Sequence, residues 1–206
     1  MNLIQRFMRV FFDLLYHPFA FTYDLVAAVV SFGKWNDWVR SVIPFIGGTR
    51  TLELGHGPGH LQLELTTRGF DSVAMDESAP MGRIAKRRLG SSKKLTRAIA
   101  QKIPFASETF DTVISTFPSE YIFDPQTLTE AHRVLRSGGR FIVLPVAFPT
   151  SGFLKWLYKV TGESPAALDE NLKEKISGHF IQAGFSVEIK TVEAKFSNLL
   201  IILADK

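Results

Sequence analysis

Leu52-Glu53-Leu54-Gly55-His56-Gly57-Pro58-Gly59-His60-Leu61 brings three glycines and an acid onto one short turn. Thr51, Leu52 and Leu54 read as the end of a buried strand, and from Leu61 the apolar spacing becomes helical. A strand, a glycine turn and a helix N-terminus make a nucleotide site. Glycines let the backbone approach a ligand with no Cβ in the way, and the helix start offers free N–H groups. The spacing is G-x-G-x-G, with His60 where a dinucleotide-binding G-x-G-x-x-G places its third glycine.

Outward from that turn, strands and helices alternate from residue 50 onward, which predicts a parallel sheet covered on both faces. Strands are expected at roughly 50–54, 72–76, 95–99, 111–115, 139–146, 185–192 and 198–204, and helices near 59–69, 78–89, 125–136 and 168–183. Gly69, Gly138-Gly139 and Gly184 stand where helices should stop. The link around Ala194–Asn198 is too short for a crossover helix, so the last two strands must pair antiparallel. Asp76 ends the second strand about twenty residues past the glycine turn, where an acid accepts ribose hydroxyls. Residues 1–46 read as an N-terminal helical cap or lid, and 47–206 as the nucleotide-binding domain. The aromatic stretch 147–167 after the fifth strand is a second lid candidate.

Composition narrows the class. An apolar fraction of 46% over 206 residues supports a packed core, and the absence of cysteine excludes disulfide and thiolate chemistry. The net charge is +4, with Arg83, Lys86, Arg87, Arg88, Lys93, Lys94, Arg97 and Lys102 uninterrupted by acid. That run reads as a solvated face, or as a surface drawn to anionic lipid. Nucleic acid is not expected as a partner, because no aromatic residue lies between Phe70 and Phe105 to stack on bases. Leu3, Ile4, Phe7, Met8, Phe11, Leu14 and Leu15 recur at helical spacing. Arg9 and Asp13 break that run, so it reads as an amphipathic helix and neither a leader peptide nor a span. It packs on the core, or it helps seal the acceptor and touches a membrane surface. The expected location is cytoplasmic, with peripheral membrane contact as the further option.

Four segments in order resemble class I S-adenosylmethionine-dependent methyltransferases. They are the glycine turn, Asp76, Ile-Pro-Phe-Ala-Ser-Glu-Thr-Phe-Asp-Thr-Val-Ile-Ser (103–115) and Glu-Ala-His-Arg-Val-Leu-Arg-Ser-Gly-Gly-Arg (130–140). Residues 23–38 are further similar to ubiquinone/menaquinone-biosynthesis C-methyltransferases and to bacterial phospholipid N-methyltransferases. The resemblance implies an α/β, doubly wound, Rossmann-like sheet of seven strands closed by a C-terminal antiparallel hairpin. It implies S-adenosylmethionine as cofactor, with Glu53 at the methionyl end, Gly55 and Gly57 lining it and Asp76 on the ribose. Ala100, Gln101 and Lys102 would lie by the adenine, and Tyr23 would close over the methionine moiety. His56, Gly59, Glu77, Met81 and Thr116 complete the expected cofactor set, Met81 reading equally as core. Ile99 departs from the family, which often has an Asp or Asn there beside the adenine.

Among candidate catalytic groups, His56 sits inside the turn and is the leading histidine. His60 reads as a capping or packing residue, His132 as solvent-facing, and His17 and His179 carry no motif. Thr116-Phe117-Pro118-Ser119-Glu120-Tyr121 lacks the amide or acid that base methyltransferases place there, while Glu120 and Tyr121 are candidates to orient or deprotonate an acceptor. No spacing suggests a metal site. Trp35, Trp38, Trp156 and Tyr158 suit an apolar acceptor pocket, or aromatic core packing. The expected reaction is methyl transfer to a small, largely apolar or lipid-like acceptor, with a quinone precursor favoured. Phospholipid amine methylation, a nicotinamide-dependent oxidoreductase and a non-catalytic binding module are the rival readings.

Overall fold

Val113 and Ile114 are neighbours in sequence and both fully buried, yet they belong to two different cores. Successive side chains of a strand point to opposite faces, so a continuous apolar run marks a strand covered on both sides. In a computed structural model the described residues are 31, 33–90, 94–149, 170–194 and 197–206. Their strands are β1 (Arg50–Leu54), β2 (Asp71–Asp76), β3 (Lys94–Arg97), β4 (Phe110–Thr116), β5 (Leu135–Pro149), β6 (Ser186–Ala194) and β7 (Ser197–Asp205). The helices are α1 (Trp35–Arg40), α2 (His60–Thr67), α3 (Ala79–Leu89), α4 (Pro125–Val134) and α5 (Glu170–Gln182).

The sheet runs β3-β2-β1-β4-β5-β7-β6. β1 pairs parallel with both β2 and β4, and β7 inserts antiparallel between β5 and β6. The order reverses between β1 and β4, so the loops after their carboxyl ends bound the crevice where such sheets seat ligands. One core holds Leu128, Ala131 and Val134 of α4 and Phe180 of α5 against Phe110, Phe141 and Val143. The other holds Trp38, Val39 and Val42 with Leu61 and Leu65 of α2 against Ile114, Ile142 and Ile201.

The predicted strand order along the chain and the terminal hairpin are as observed. Gly69 (φ +85°) and Gly184 (φ +95°) end helices as expected, with Phe70 N–H donating to Leu65 O and Phe185 N–H to Phe180 O. Gly138-Gly139 do not. Helix α4 already ends at Val134, and Leu135 begins β5 by pairing with Phe110. The two glycines serve a shift of register in the strand instead. A Cβ on Gly139 would lie 2.9 Å from Arg136 O and 3.0 Å from Asp111 O. His132 is the other correction. It is half-buried, its ring 5.0 Å from Phe185 edge to face, and burial lowers its pKa.

Of the basic run, Arg88 donates to Pro58 O, Lys94 pairs with Asp71 and Arg97 donates to Glu77 O, while Arg83, Lys86, Arg87 and Lys102 are exposed. Lys93 lies outside the described residues, as do residues 1–30 with Tyr23, His17 and the amphipathic stripe, and 150–169 with Trp156 and Tyr158. Among the described residues no helix is long and apolar enough to cross a membrane.

Candidate functional site

The glycine turn leaves β1 under tight backbone control. Gly55 N–H and His56 N–H both donate to Met75 O of β2, at 2.8 and 3.2 Å. Gly55 takes φ +72°, and a Cβ there would collide with the Tyr121 hydroxyl. Gly57 takes φ +50°, and none of the described residues comes within 4 Å of where its Cβ would stand, so that side of the turn is open among them. Gly59 is the N-cap of α2, in the left-handed region, with no side-chain cap on the first turn. Arg88 fastens the far side of the turn through Pro58 O at 2.6 Å.

Asp76 spans the turn from the end of β2. Its Oδ2 accepts from Gly57 N–H and its Oδ1 from Ser78 N–H, both at 2.8 Å. A carboxylate has about four lone-pair sites, so it can hold the loop and still accept two ribose hydroxyls. Ser78, not Asp76, caps α3, accepting from Met81 N–H.

Glu53 is the most unusual group. It points from near the end of β1 into the interior, 1% exposed, and among the described residues its Oε2 has no hydrogen-bond partner. Burial pushes its pKa up to about 8, against a hydrogen bond from Gln62 and helped by the nearby charge of Asp76. Gln62 itself is buried and also donates to Ser72 Oγ at 2.8 Å. Sequence reading passed over Gln62, although a polar residue between Leu61 and Leu65 on the apolar stripe of α2 was a usable signal.

A crevice joins these groups. Glu53, Gly55, His56, Gly57 and Thr116 line it together with Trp35, Val39, Pro58, His60 and Leu61. His56 is nearly buried, and its Nδ1 lies 2.7 Å from Gly57 O. A carbonyl only accepts, so Nδ1 carries the proton and, in the neutral ring, Nε2 is the acceptor.

The remaining expected residues fall elsewhere. Met81 is completely buried. Glu77 is exposed, and Ala100 and Gln101 lie in the turn after β3, with Gln101 donating to Asp124 at 3.1 Å. Tyr121 reaches under the glycine turn, its hydroxyl 3.3 Å from Leu54 O and 3.2 Å from Ser115 Oγ. It therefore braces the loop, and Glu120 is exposed at the start of a short 3-10 turn.

Known proteins share this fold. The profile of a methyltransferase domain matches residues 52–143. The demethylmenaquinone methyltransferase of Thermobifida fusca is 32% identical over 159 residues, covering 71% of this chain and 67% of that protein. The ubiquinone/menaquinone biosynthesis C-methyltransferase UbiE of Geotalea daltonii is 31% identical over 148 residues, 66% of this chain and 63% of its own. The chain thus spans about three fifths to two thirds of the length of these curated relatives. Among solved structures, a SAM-dependent methyltransferase of Archaeoglobus fulgidus superposes with TM-score 0.60 at 14% identity, covering 83% of this chain and 92% of that one. A geranyl diphosphate methyltransferase in complex with SAM also gives 0.60, at 13% identity, over 82% and 84%. The ordered motifs, the strand order and these relatives agree: the chain belongs to the S-adenosylmethionine-dependent methyltransferase family.

Proposed function

We propose that this chain transfers the methyl group of S-adenosylmethionine to a small, largely apolar acceptor of the prenylated quinol class. The observation that carries the cofactor half is Glu53, whose buried Oε2 has no partner among the described residues. An unsatisfied buried carboxyl costs stability unless a ligand answers it, and a cationic ammonium, which favours its ionised form, does so best. The open backbone at Gly57 and the uncapped first turn of α2 fit the same ligand from the other side. In this reading Glu53 holds the ammonium of the methionyl end, Asp76 the ribose hydroxyls, and the α2 N–H groups the carboxylate. Residues 99–102, after β3, lie by the adenine.

When bound, the cofactor supplies a methyl carbon made electrophilic by its sulfonium sulfur. For a quinol ring, a C–CH3 bond forms as the S–CH3 bond breaks and its electron pair returns to sulfur. The ring carbon then loses its proton. The chain's own work is orientation and exclusion of water. His56 lines the crevice, and its Nε2 is the candidate to receive a proton from the acceptor. Residues 1–46 serve as the cap of this domain, supported by Trp35, which lines the crevice beside Glu53. The names of the curated relatives support the quinol class over other acceptors.

Fold alone does not decide the reaction, since the [4+2]-cyclase SpnF shares it with TM-score 0.58. Transfer of radiolabelled methyl into a reduced prenylated naphthoquinol, phosphatidylethanolamine vesicles, RNA and protein, compared side by side, tests the reading. Label is expected in the quinol. Label confined to the lipid amine installs phospholipid methylation in its place, and label confined to RNA or protein overturns both.

A further inference from the structure

Phe117 is the first residue beyond β4 and, with Glu108, one of two non-glycine residues of positive φ among those described. Its φ of +51° lies in the left-handed region, where a residue with a Cβ is strained. Its N–H donates to Leu144 O at 2.7 Å, and its ring lies 4.4 Å from that of Trp35, inclined by 31°. Strain of this kind persists only where the surroundings impose it, and it gathers at ligand sites. The location agrees. Thr116, the preceding residue, lines the crevice with Glu53, and Trp35 forms another part of the same wall.

Trp38 adds an unmet need. Its ring is 5.9 Å from Phe117 and 6.2 Å from Trp35. The residue is 3% exposed, and among the described residues its indole N–H has no hydrogen-bond partner. Buried indole N–H groups nearly always find an acceptor. Aromatic walls bind both flat rings and ammonium head groups, but an unmatched donor separates the two. An ammonium on such a wall brings no acceptor of its own, a head group's phosphate lying two carbons away, whereas a ring bearing oxygens carries the missing acceptor in its own plane.

We propose that Trp35, Phe117 and Trp38 form the acceptor platform, specific for a planar ring carrying oxygen. The ring packs against the Trp35–Phe117 wall and one of its oxygens accepts from Trp38 Nε1. This rests on the methyl-transfer reading and adds which residues choose the acceptor. Phe117 and Trp38 are here specificity residues, acting on binding of the acceptor and not on the cofactor.

The test is calorimetry of the full chain, saturated with S-adenosylhomocysteine, against tail-less 1,4-naphthoquinone. The chain has no cysteine for the quinone to alkylate. Phe117→Asn keeps a residue that tolerates positive φ and removes the ring. It is expected to retain S-adenosylhomocysteine affinity and weaken the quinone about tenfold. Trp38→Phe keeps an aromatic ring and removes the N–H, with an expected loss of about fivefold. Quinone affinity within twofold of wild type in both variants overturns the platform, as does loss of both ligands together, which would make the cluster purely structural. Absence of quinone binding by the wild type overturns it too. Should both variants lose quinone while the wild type methylates only other acceptors, the platform stands and the quinol reading falls. A wild type that methylates the quinol with an unchanged KM in both variants sinks the platform alone.

Discussion

A single hydrogen atom at position 55 separates a working glycine turn from a strained one. Gly55→Ala places a methyl on the Tyr121 hydroxyl while φ stays near +72°. The expected cost is about 1–3 kcal/mol of stability, with at least tenfold weaker S-adenosylhomocysteine binding, read by urea unfolding and calorimetry. Adding Tyr121→Phe removes the collision but not the backbone strain, so the double variant should recover only part of the loss. Full recovery would show that sterics alone demand the glycine. Ile99 makes the opposite case, where a substitution should help. It is 47% exposed beyond the end of β3, where family members often carry an Asp or Asn beside the adenine. Ile99→Asp offers the adenine amino group an acceptor, and about 1 kcal/mol, or fivefold tighter binding, is expected at unchanged stability. Unchanged affinity in calorimetry would remove residues 99–102 from the adenine.

Elements, unlike single residues, are placed by a few long side chains that tie loops to helices. Arg133 on α4 donates to Ile103 O at 3.0 Å and Phe105 O at 2.9 Å while paired with Glu130, which in turn accepts from Ile103 N–H. This clamp fixes the segment that leads from the proposed adenine loop into β4. Arg133→Ala leaves two part-buried carbonyls without their side-chain donor and Glu130 with only the Ile103 N–H. A loss of about 2 kcal/mol in urea unfolding is expected, with a several-fold rise in the Kd for S-adenosylhomocysteine. Loss of stability with an unchanged Kd would confine the clamp to packing. None of these tertiary ties was visible in the sequence, because an Arg three residues after a Glu looks like any surface helix pair. The same blindness explains Gly138-Gly139, read as a helix stop by composition while the pairing of Leu135 with Phe110 had already ended the helix. It also explains His132, whose covering ring comes from Phe185, far along the chain. Strands and the glycine turn were legible because their signals are local: apolar runs, glycine spacing and an acid at a strand end. The partners of Glu53, the bracing role of Tyr121 and the strain at Phe117 depend on which strands meet, and local signals do not carry that.

At the scale of the whole molecule, stability against pH sums groups pulled in opposite directions. Arg140 beside Asp205 and Arg133 beside Glu130 hold those carboxyls below their usual range. Their contributions are present above the ordinary carboxylate pKa and are lost as pH falls through the lowered values. His132, lowered by burial, contributes fully above 6.5 and loses that as pH falls below it. Glu53 runs the other way. Its folded pKa of about 8 lies above the 4.5 of the open chain, so its contribution is complete below 4.5 and is lost as pH rises through 8. That shift corresponds to about 5 kcal/mol at about 1.4 kcal/mol per unit, and Glu53 is wholly buried where His132 is only half so. The ligand-free protein should therefore be most stable in weak acid and lose several kcal/mol by pH 8.5, while Glu53→Gln stays nearly flat across that range. Cofactor reverses the slope. An ammonium against Glu53 favours its ionised form, so binding near neutral pH should release close to one proton and tighten as pH rises toward 8. Calorimetry of S-adenosylhomocysteine in buffers of different ionisation enthalpy measures that proton directly. Glu53→Gln should bind more weakly and release none. Equal proton release in the variant would place the titrating group elsewhere and leave Glu53 a purely structural acid.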